Sequence, residues 1–277
     1  MVEPERPSLD IPRALSERAL ALATGSDGWT APEARDAATV ILLRDGPAGI
    51  EVFLQRRVGK MAFAPGMYVF PGGRVEESDA HTAWRGPTDE PFGIPDGAGV
   101  TATFRALTSA GARETWEEAG TVLAVDDSGA PVAGPDQSDA DFGSWLAEHG
   151  CQIDGAHFRA WSHWITPEVE RRRFDTRFLV SLLPDGQSAV DLGVESDHSS
   201  WFTPQAALAG VRDGTMPMLP PTSAALTQLA EFDSAAAAWE AATYREPRPW
   251  LPRPFLVDGE ITWRIVDGYT GDPIEIP

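Results

Sequence analysis

The chain has 277 residues, 42% of them hydrophobic, with ten tryptophans and a formal net charge of −20. That apolar content and length suit one enlarged domain, or one domain with appendages, ahead of two full domains. The charge argues against nonspecific binding to nucleic acid or an anionic membrane, though not against a phosphorylated small molecule met by local arginines or a bound cation. Lys60 is the only lysine, a compositional bias that also suits bidentate phosphate recognition. Cys151 is the only cysteine, so an intrachain disulfide and a thiolate zinc cluster are both excluded.

Residues 1–10 are acidic and proline-bearing, without the apolar core of a signal peptide. The nearby run Ala37–Leu43 is too short to cross a bilayer. The expectation is a cytoplasmic protein that spans no membrane; a homodimer stays open.

Residues 11–23 read as a short helix with Leu15, Leu20 and Leu22 among alanines, followed by a loop over 25–37. Ala38–Leu43 and Glu51–Gln55 are apolar, β-branched runs separated by Arg44-Asp45-Gly46-Pro47, which predicts strand, turn and strand. A third short strand is expected at Met67–Phe70, stopped by Pro71-Gly72-Gly73. A Gly/Pro/Asp-rich insertion at about 80–101 precedes a helix from about Ala102 to Ala119, with Gly120 placed to end it. Further strands are expected at Thr121–Val125, Phe174–Leu183 and Ser199–Thr203. Helices are expected at Asp139–His149, Pro204–Val211, Ala224–Phe232 and Ala235–Ala242, and a hairpin at Phe255–Ile265. Without regular βαβ alternation, this order favours an α/β sandwich over a doubly wound sheet. The expected organisation is an N-terminal extension over 1–35, a main domain over 36–245 and a tail over 246–277 that packs on it.

The segment Ala112-Arg113-Glu114-Thr115-Trp116-Glu117-Glu118-Ala119-Gly120 carries most information. At about 100° per residue, Glu114, Glu117 and Glu118 share one helix face, and Ala112, Thr115, Trp116 and Ala119 the other. Three like charges at these spacings repel, and anions are disfavoured near a helix C-terminus. A hard divalent cation removes both penalties while keeping water ligands open to substrate phosphates. Alone, such a run reads as a solvated helix face. What precedes it is Pro71-Gly72-Gly73-Arg74-Val75-Glu76-Glu77, a tight turn where glycines permit positive φ and close approach to a ligand.

Together the two fragments resemble the Nudix box of the Nudix hydrolases, G-x5-E-x7-R-E-U-x-E-E-x-G-U with U apolar. Gly73 matches the first glycine, and Arg113, Glu114, Glu117, Glu118 and Gly120 match the second half. Asp79 stands where the box has its first Glu, Thr115 and Thr121 replace apolar residues, and the 33 residues from Ala80 to Ala112 stand where the motif has seven. An insertion here is similar to the coenzyme A diphosphatase-like subgroup. So are Leu54-Gln55-Arg56-Arg57, the run Phe63–Gly73, Arg172–Phe178 and Pro220-Pro221-Thr222. The likeness covers roughly residues 36–232.

The resemblance implies an α/β/α sandwich around a mixed sheet, with extra C-terminal helices. It implies hydrolysis of a diphosphate linkage in a nucleoside diphosphate derivative, with coenzyme A or acyl-CoA as first choice. Mg²⁺ or Mn²⁺ would be held by Glu114, Glu117, Glu118 and the Gly73 carbonyl, with Arg113 orienting the acids. Glu195, shortly before Trp201, is a base or further ligand on the same grounds, or a solvated loop acid. Arg56, Arg57 and Arg173 are candidates for substrate phosphate, although neighbours on a strand alternate, so only one of Arg56 and Arg57 should face the cleft. At least two of Arg171–Arg173 should face solvent, and the Trp161/Trp164 pair could stack on a nucleobase, with core packing or a lid the safer reading. Asp79 and the insertion leave a second reading open, a non-catalytic nucleotide-sensing or interaction module.

Overall fold

The computed structural model describes residues 13–26, 28–59, 64–86, 103–132, 141–190, 192 and 196–274. The chain forms two compact units, a smaller one from 1–34, 165–174 and 249–277, and a larger one from 35–164 and 175–248. No helix among the described residues is long and apolar enough to cross a membrane. The smaller unit opens with α1 (Arg13–Thr24), whose Thr24 hydroxyl closes the last turn on the Leu20 carbonyl.

The larger unit is built on β1 (Arg35–Gly46) and β2 (Gly49–Arg57), joined by the two residues Pro47-Ala48. The strands run through Arg44-Asp45-Gly46, so the turn is tighter and later than the sequence suggests. Gly49 takes φ 109°, a conformation open to glycine. Val40 to Leu43 are completely buried, as expected of a strand covered on both faces.

Past the hairpin, β1 and β2 diverge. β3 (Tyr68–Val69) pairs with Gln55 and Arg56 of β2, and β4 (Gly72–Arg74) pairs with Ala37–Thr39 of β1. The Val40 N–H donates to the Pro71 carbonyl between them. The segment 68–74 therefore crosses from one parted strand to the other and carries Gly72-Gly73 with it. After a 3₁₀ turn at Glu77–His81 comes β5 (Trp84–Arg85). The expected loop thus begins with regular structure; residues 87–102 lie outside the described residues.

Helix α2 (Phe104–Ala119) starts on Thr103, whose hydroxyl accepts from Ala106 N–H, and ends on Gly120 at φ 63°. It lies close on β1, since a Cβ on Gly111 would meet Val40 Cγ2 at 2.8 Å. Residues 121–125 do not form the expected strand. Val125 makes isolated bridges to Pro131 and Gln152, while the Gln187 side chain takes both the N–H and the carbonyl of Val122. A side-chain amide thus does what a neighbouring strand would do.

Next come α3 (Phe142–Glu148), β6 (Ile153–Asp154, parallel to β5), β7 (Arg159–Ile165) and β8 (Phe174–Leu182). β9 (Ser196–Phe202) pairs antiparallel with β2. Within this unit the sheet order is β7-β8-β1-β2-β3, with β4 on β1 and β9 on β2. One apolar cluster joins Val40, Leu42 and Phe53 of the sheet to Ala112 and Ala119 of α2 and to Phe142, Trp145 and Leu146 of α3. Trp161 and Trp164 are buried as expected, and Arg245 stacks on the Trp161 ring at 3.8 Å. Helices α4 (Pro204–Arg212), α5 (Pro220–Leu229) and α6 (Ala235–Ala242) follow; prolines open the first two and Ser234 caps the third. In the smaller unit β10 (Pro249–Val257) and β11 (Glu260–Asp267) form a hairpin longer than expected, with Ile165, Leu251 and Val266 as its core.

Candidate active site

Three pieces of chain meet around Arg113: the Asp79 turn, β4 and α2. Arg113 Nε and Nη2 donate to Asp79 Oδ1 and Oδ2 at 3.0 and 3.1 Å, a two-point clamp on a carboxylate 2% exposed. Nη2 also reaches the Arg74 carbonyl at 3.1 Å, and Nη1 reaches Glu114 Oε1 at 2.7 Å and Glu117 Oε2 at 3.5 Å. Burial on its own lowers the guanidinium pKa. The bonds and charges of Asp79 and Glu114 outweigh that and raise it.

Asp79 is one methylene shorter than the Glu of the box, and the 3₁₀ turn makes up the reach. The turn folds Asp79 back so that Oδ2 accepts from Glu76 N–H at 2.7 Å while both oxygens face Arg113. The long insertion does not open the box. Its ends are tied by the Asp79–Arg113 pair and by Arg105 Nη2 donating to the Thr82 carbonyl at 2.6 Å.

The expected separation of a wet acidic face from a buried one is not clean. Glu117 is exposed and Glu114 half-buried, but Glu118 is only 7% exposed while Trp116 is part-exposed. The helix leans on the sheet, which closes over the position next to Gly72. Glu118 Oε2 accepts from Gly72 N–H at 3.0 Å and from the Gln55 amide. Burial first, then the charge of Glu114, pushes the Glu118 carboxyl from the usual 4.5 up to about 8, against the opposing effects of Gly72, Gln55 and Arg57. Glu117 is also pushed up, chiefly by the partial covering of its side chain, with Arg113 opposing.

The two glycines are required for space and not for φ. Neither has positive φ. A Cβ on Gly72 would lie 2.6 Å from the Ala38 carbonyl oxygen, and one on Gly73 would lie 2.3 Å from Glu114 Oε1. The turn backs directly onto the carboxylates.

These groups suit a hard divalent cation. The donors are all oxygen, the helix acids repel one another, and burial drives Glu118 towards a protonated state that a cation would reverse. Among the described residues, no three acidic side chains yet converge at ion-holding distance. Glu114 instead engages Arg113.

The arginines separate. Arg57 lies near enough to Glu118 to oppose its upward shift. Arg56 is bound to Asp197 at 2.6 Å on the exposed surface, and the β2–β9 register shifts between the two. Arg173 belongs to the smaller unit, where it donates to the Thr166 and Pro32 carbonyls, and Arg171 and Arg172 are exposed. Glu195 lies outside the described residues.

Sequence reasoning named Gln55 only within the Leu54–Arg57 likeness and gave it no role in the site. Its signal was a polar residue in the apolar run of β2, two positions before Arg57 and so on the same side of an extended strand. Nor did sequence reasoning give a role to a buried group on β1, β7 and β8. Arg177 bonds Asp36 at 2.8 Å and Asp175 at 3.0 Å, and His163 Nε2 pairs with Asp175. Burial lowers the His163 pKa, with Asp175 opposing.

No family model matches the chain. A curated relative, the acyl-coenzyme A diphosphatase NUDT19 of Xenopus laevis, is 27% identical over 66% of this chain. The chain spans 60% of that relative's length. A Nudix hydrolase crystal structure from Alicyclobacillus acidocaldarius matches with a TM-score of 0.65 and 29% identity, over 75% of this chain and 96% of that one. With the box residues gathered on one helix and turn, and with these two likenesses, the chain is similar in sequence and fold to the Nudix hydrolases, NUDT19 among them.

Proposed function

We propose that the protein hydrolyses a diphosphate linkage in a nucleoside diphosphate derivative with the help of Mg²⁺ or Mn²⁺, and that coenzyme A or an acyl-CoA is its substrate. The observation that carries the reading is the clamp of Asp79 on Arg113, which keeps the box assembled across an insertion of this length. The substrate choice is supported by the relative that bears the acyl-coenzyme A diphosphatase name.

Glu114, Glu117, Glu118 and the Gly73 carbonyl would hold the cation, and Arg113 orients the acids. A bound divalent ion supplies acidified water and neutralises charge on the departing phosphate. Arg57, on the Glu118 side of β2, meets a substrate phosphate, whereas Arg56 is engaged by Asp197. Water adds to one phosphorus, the bridging P–O bond breaks, and coenzyme A yields 3′,5′-ADP and phosphopantetheine.

The alternative, a non-catalytic nucleotide-sensing module, drew on Asp79 and the insertion. Both leave the Arg113 clamp intact, so no specific observation favours it. The test is a panel of coenzyme A, acetyl-CoA, ADP-ribose and a dinucleoside polyphosphate with each metal, read by product mass. Cleavage of the coenzyme A compounds is expected. Cleavage of only the others would reject the substrate and keep the chemistry.

A further inference from the structure

We infer that Gln55 is a positioning residue for the cation site: its amide N–H sets the orientation of the Glu118 carboxylate. The inference deepens the function proposed above and rests on it. Gln55 is 2% exposed and follows Val52, Phe53 and Leu54, all essentially buried. Its side chain shares a strand face with Phe53, which packs in the cluster containing Ala112 and Ala119 of α2. An apolar residue would suit that surrounding. Instead the amide donates its N–H to Glu118 Oε2, and among the described residues its Oε1 finds no hydrogen-bond partner. A buried acceptor left unpaired is destabilising. Stability therefore does not account for an amide at this position, and the bond to Glu118 does.

The physical role follows from the torsion it restrains. The last torsion of a glutamate is broad, so a carboxylate on a helix is not held in one rotation by its own rotamer preferences. Gly72 N–H and the Gln55 amide both bond Oε2, from the turn and from β2. Two donors from two directions fix that rotation, as partners behind a metal ligand commonly do. Without Gln55 a single donor remains, and the carboxylate can swing about it.

The test uses the full chain with Gln55→Met and Gln55→Leu. Mn²⁺ binding is followed by the electron paramagnetic resonance signal of the free ion, and thermal unfolding is measured without metal. Both variants are expected to bind Mn²⁺ about tenfold or more weakly. The metal-free Tm of at least one should equal or exceed that of the wild type, which a merely structural glutamine would not allow. Binding within about threefold of the wild type in both variants overturns the inference. So does weaker binding that is matched by a lower Tm in both. If the wild type itself binds no Mn²⁺, the proposed function falls and this inference with it; if it binds and the variants bind equally, only the role of Gln55 is lost.

Discussion

Replacing Asp79 by Ala should reveal how much of the site depends on one clamp. The substitution removes both acceptors of the Arg113 fork, at 3.0 and 3.1 Å, and leaves Glu76 N–H without its 2.7 Å partner. Breaking a buried pair by deleting one member costs about 3–5 kcal/mol. Arg113 keeps Glu114 and the Arg74 carbonyl, so the lower end, about 3 kcal/mol, is expected. For a chain of this size that corresponds to a Tm lower by roughly 6–12 °C. Loss of the partner behind a metal-binding arrangement should also reduce activity about 10–100-fold. The assays are thermal unfolding by circular dichroism and kcat on coenzyme A with Mn²⁺. A variant within about 2 °C and twofold of the wild type would refute the view that Asp79 stands in for the usual Glu.

The pH dependence of cation binding should follow Glu118. Its carboxyl sits near 8 without metal and the ion binds the ionised form, so Mn²⁺ affinity should rise about tenfold per pH unit below that value and level off above it. The stability sign is opposite. With the folded pKa raised above the usual 4.5, this group favours folding at low pH, and that contribution is lost as pH rises towards 8. The metal-free wild type should thus fall in Tm between pH 5 and pH 8.5 relative to Glu118→Gln, and Mn²⁺ should reverse the fall. Gly73→Ala places a Cβ 2.3 Å from Glu114 Oε1 and should lower kcat at least about tenfold, while Tm changes little because the carboxylate end can move. Gly111→Ala meets Val40 Cγ2 at 2.8 Å inside the core, so it should cost about 1–3 kcal/mol in a urea titration without abolishing Mn²⁺ binding.

The parts of the fold that were legible in the sequence are those set by neighbours in the chain. Gly120 ends α2 in a left-handed conformation, and Ser234 opens α6 at the expected residue. The candidate acids could be picked out for the same reason, since they recur at helix spacing. Thr121–Val125 has the composition of a strand, but Gln187, far along the chain, takes the hydrogen bonds of Val122 that a strand partner would need. β7 escaped notice because its buried residues do not alternate, as in a strand covered on both faces. Glu118 was placed on a wet face by helix geometry alone. Its burial depends on β2 and the Gly72 turn, which local spacing does not encode.

The most direct measurement incubates the wild type and Glu118→Gln with coenzyme A and Mn²⁺ and weighs the products by mass spectrometry. The expected result is 3′,5′-ADP and phosphopantetheine from the wild type and at most traces from the variant. Intact coenzyme A in every reaction, or equal cleavage by both proteins, would contradict the account.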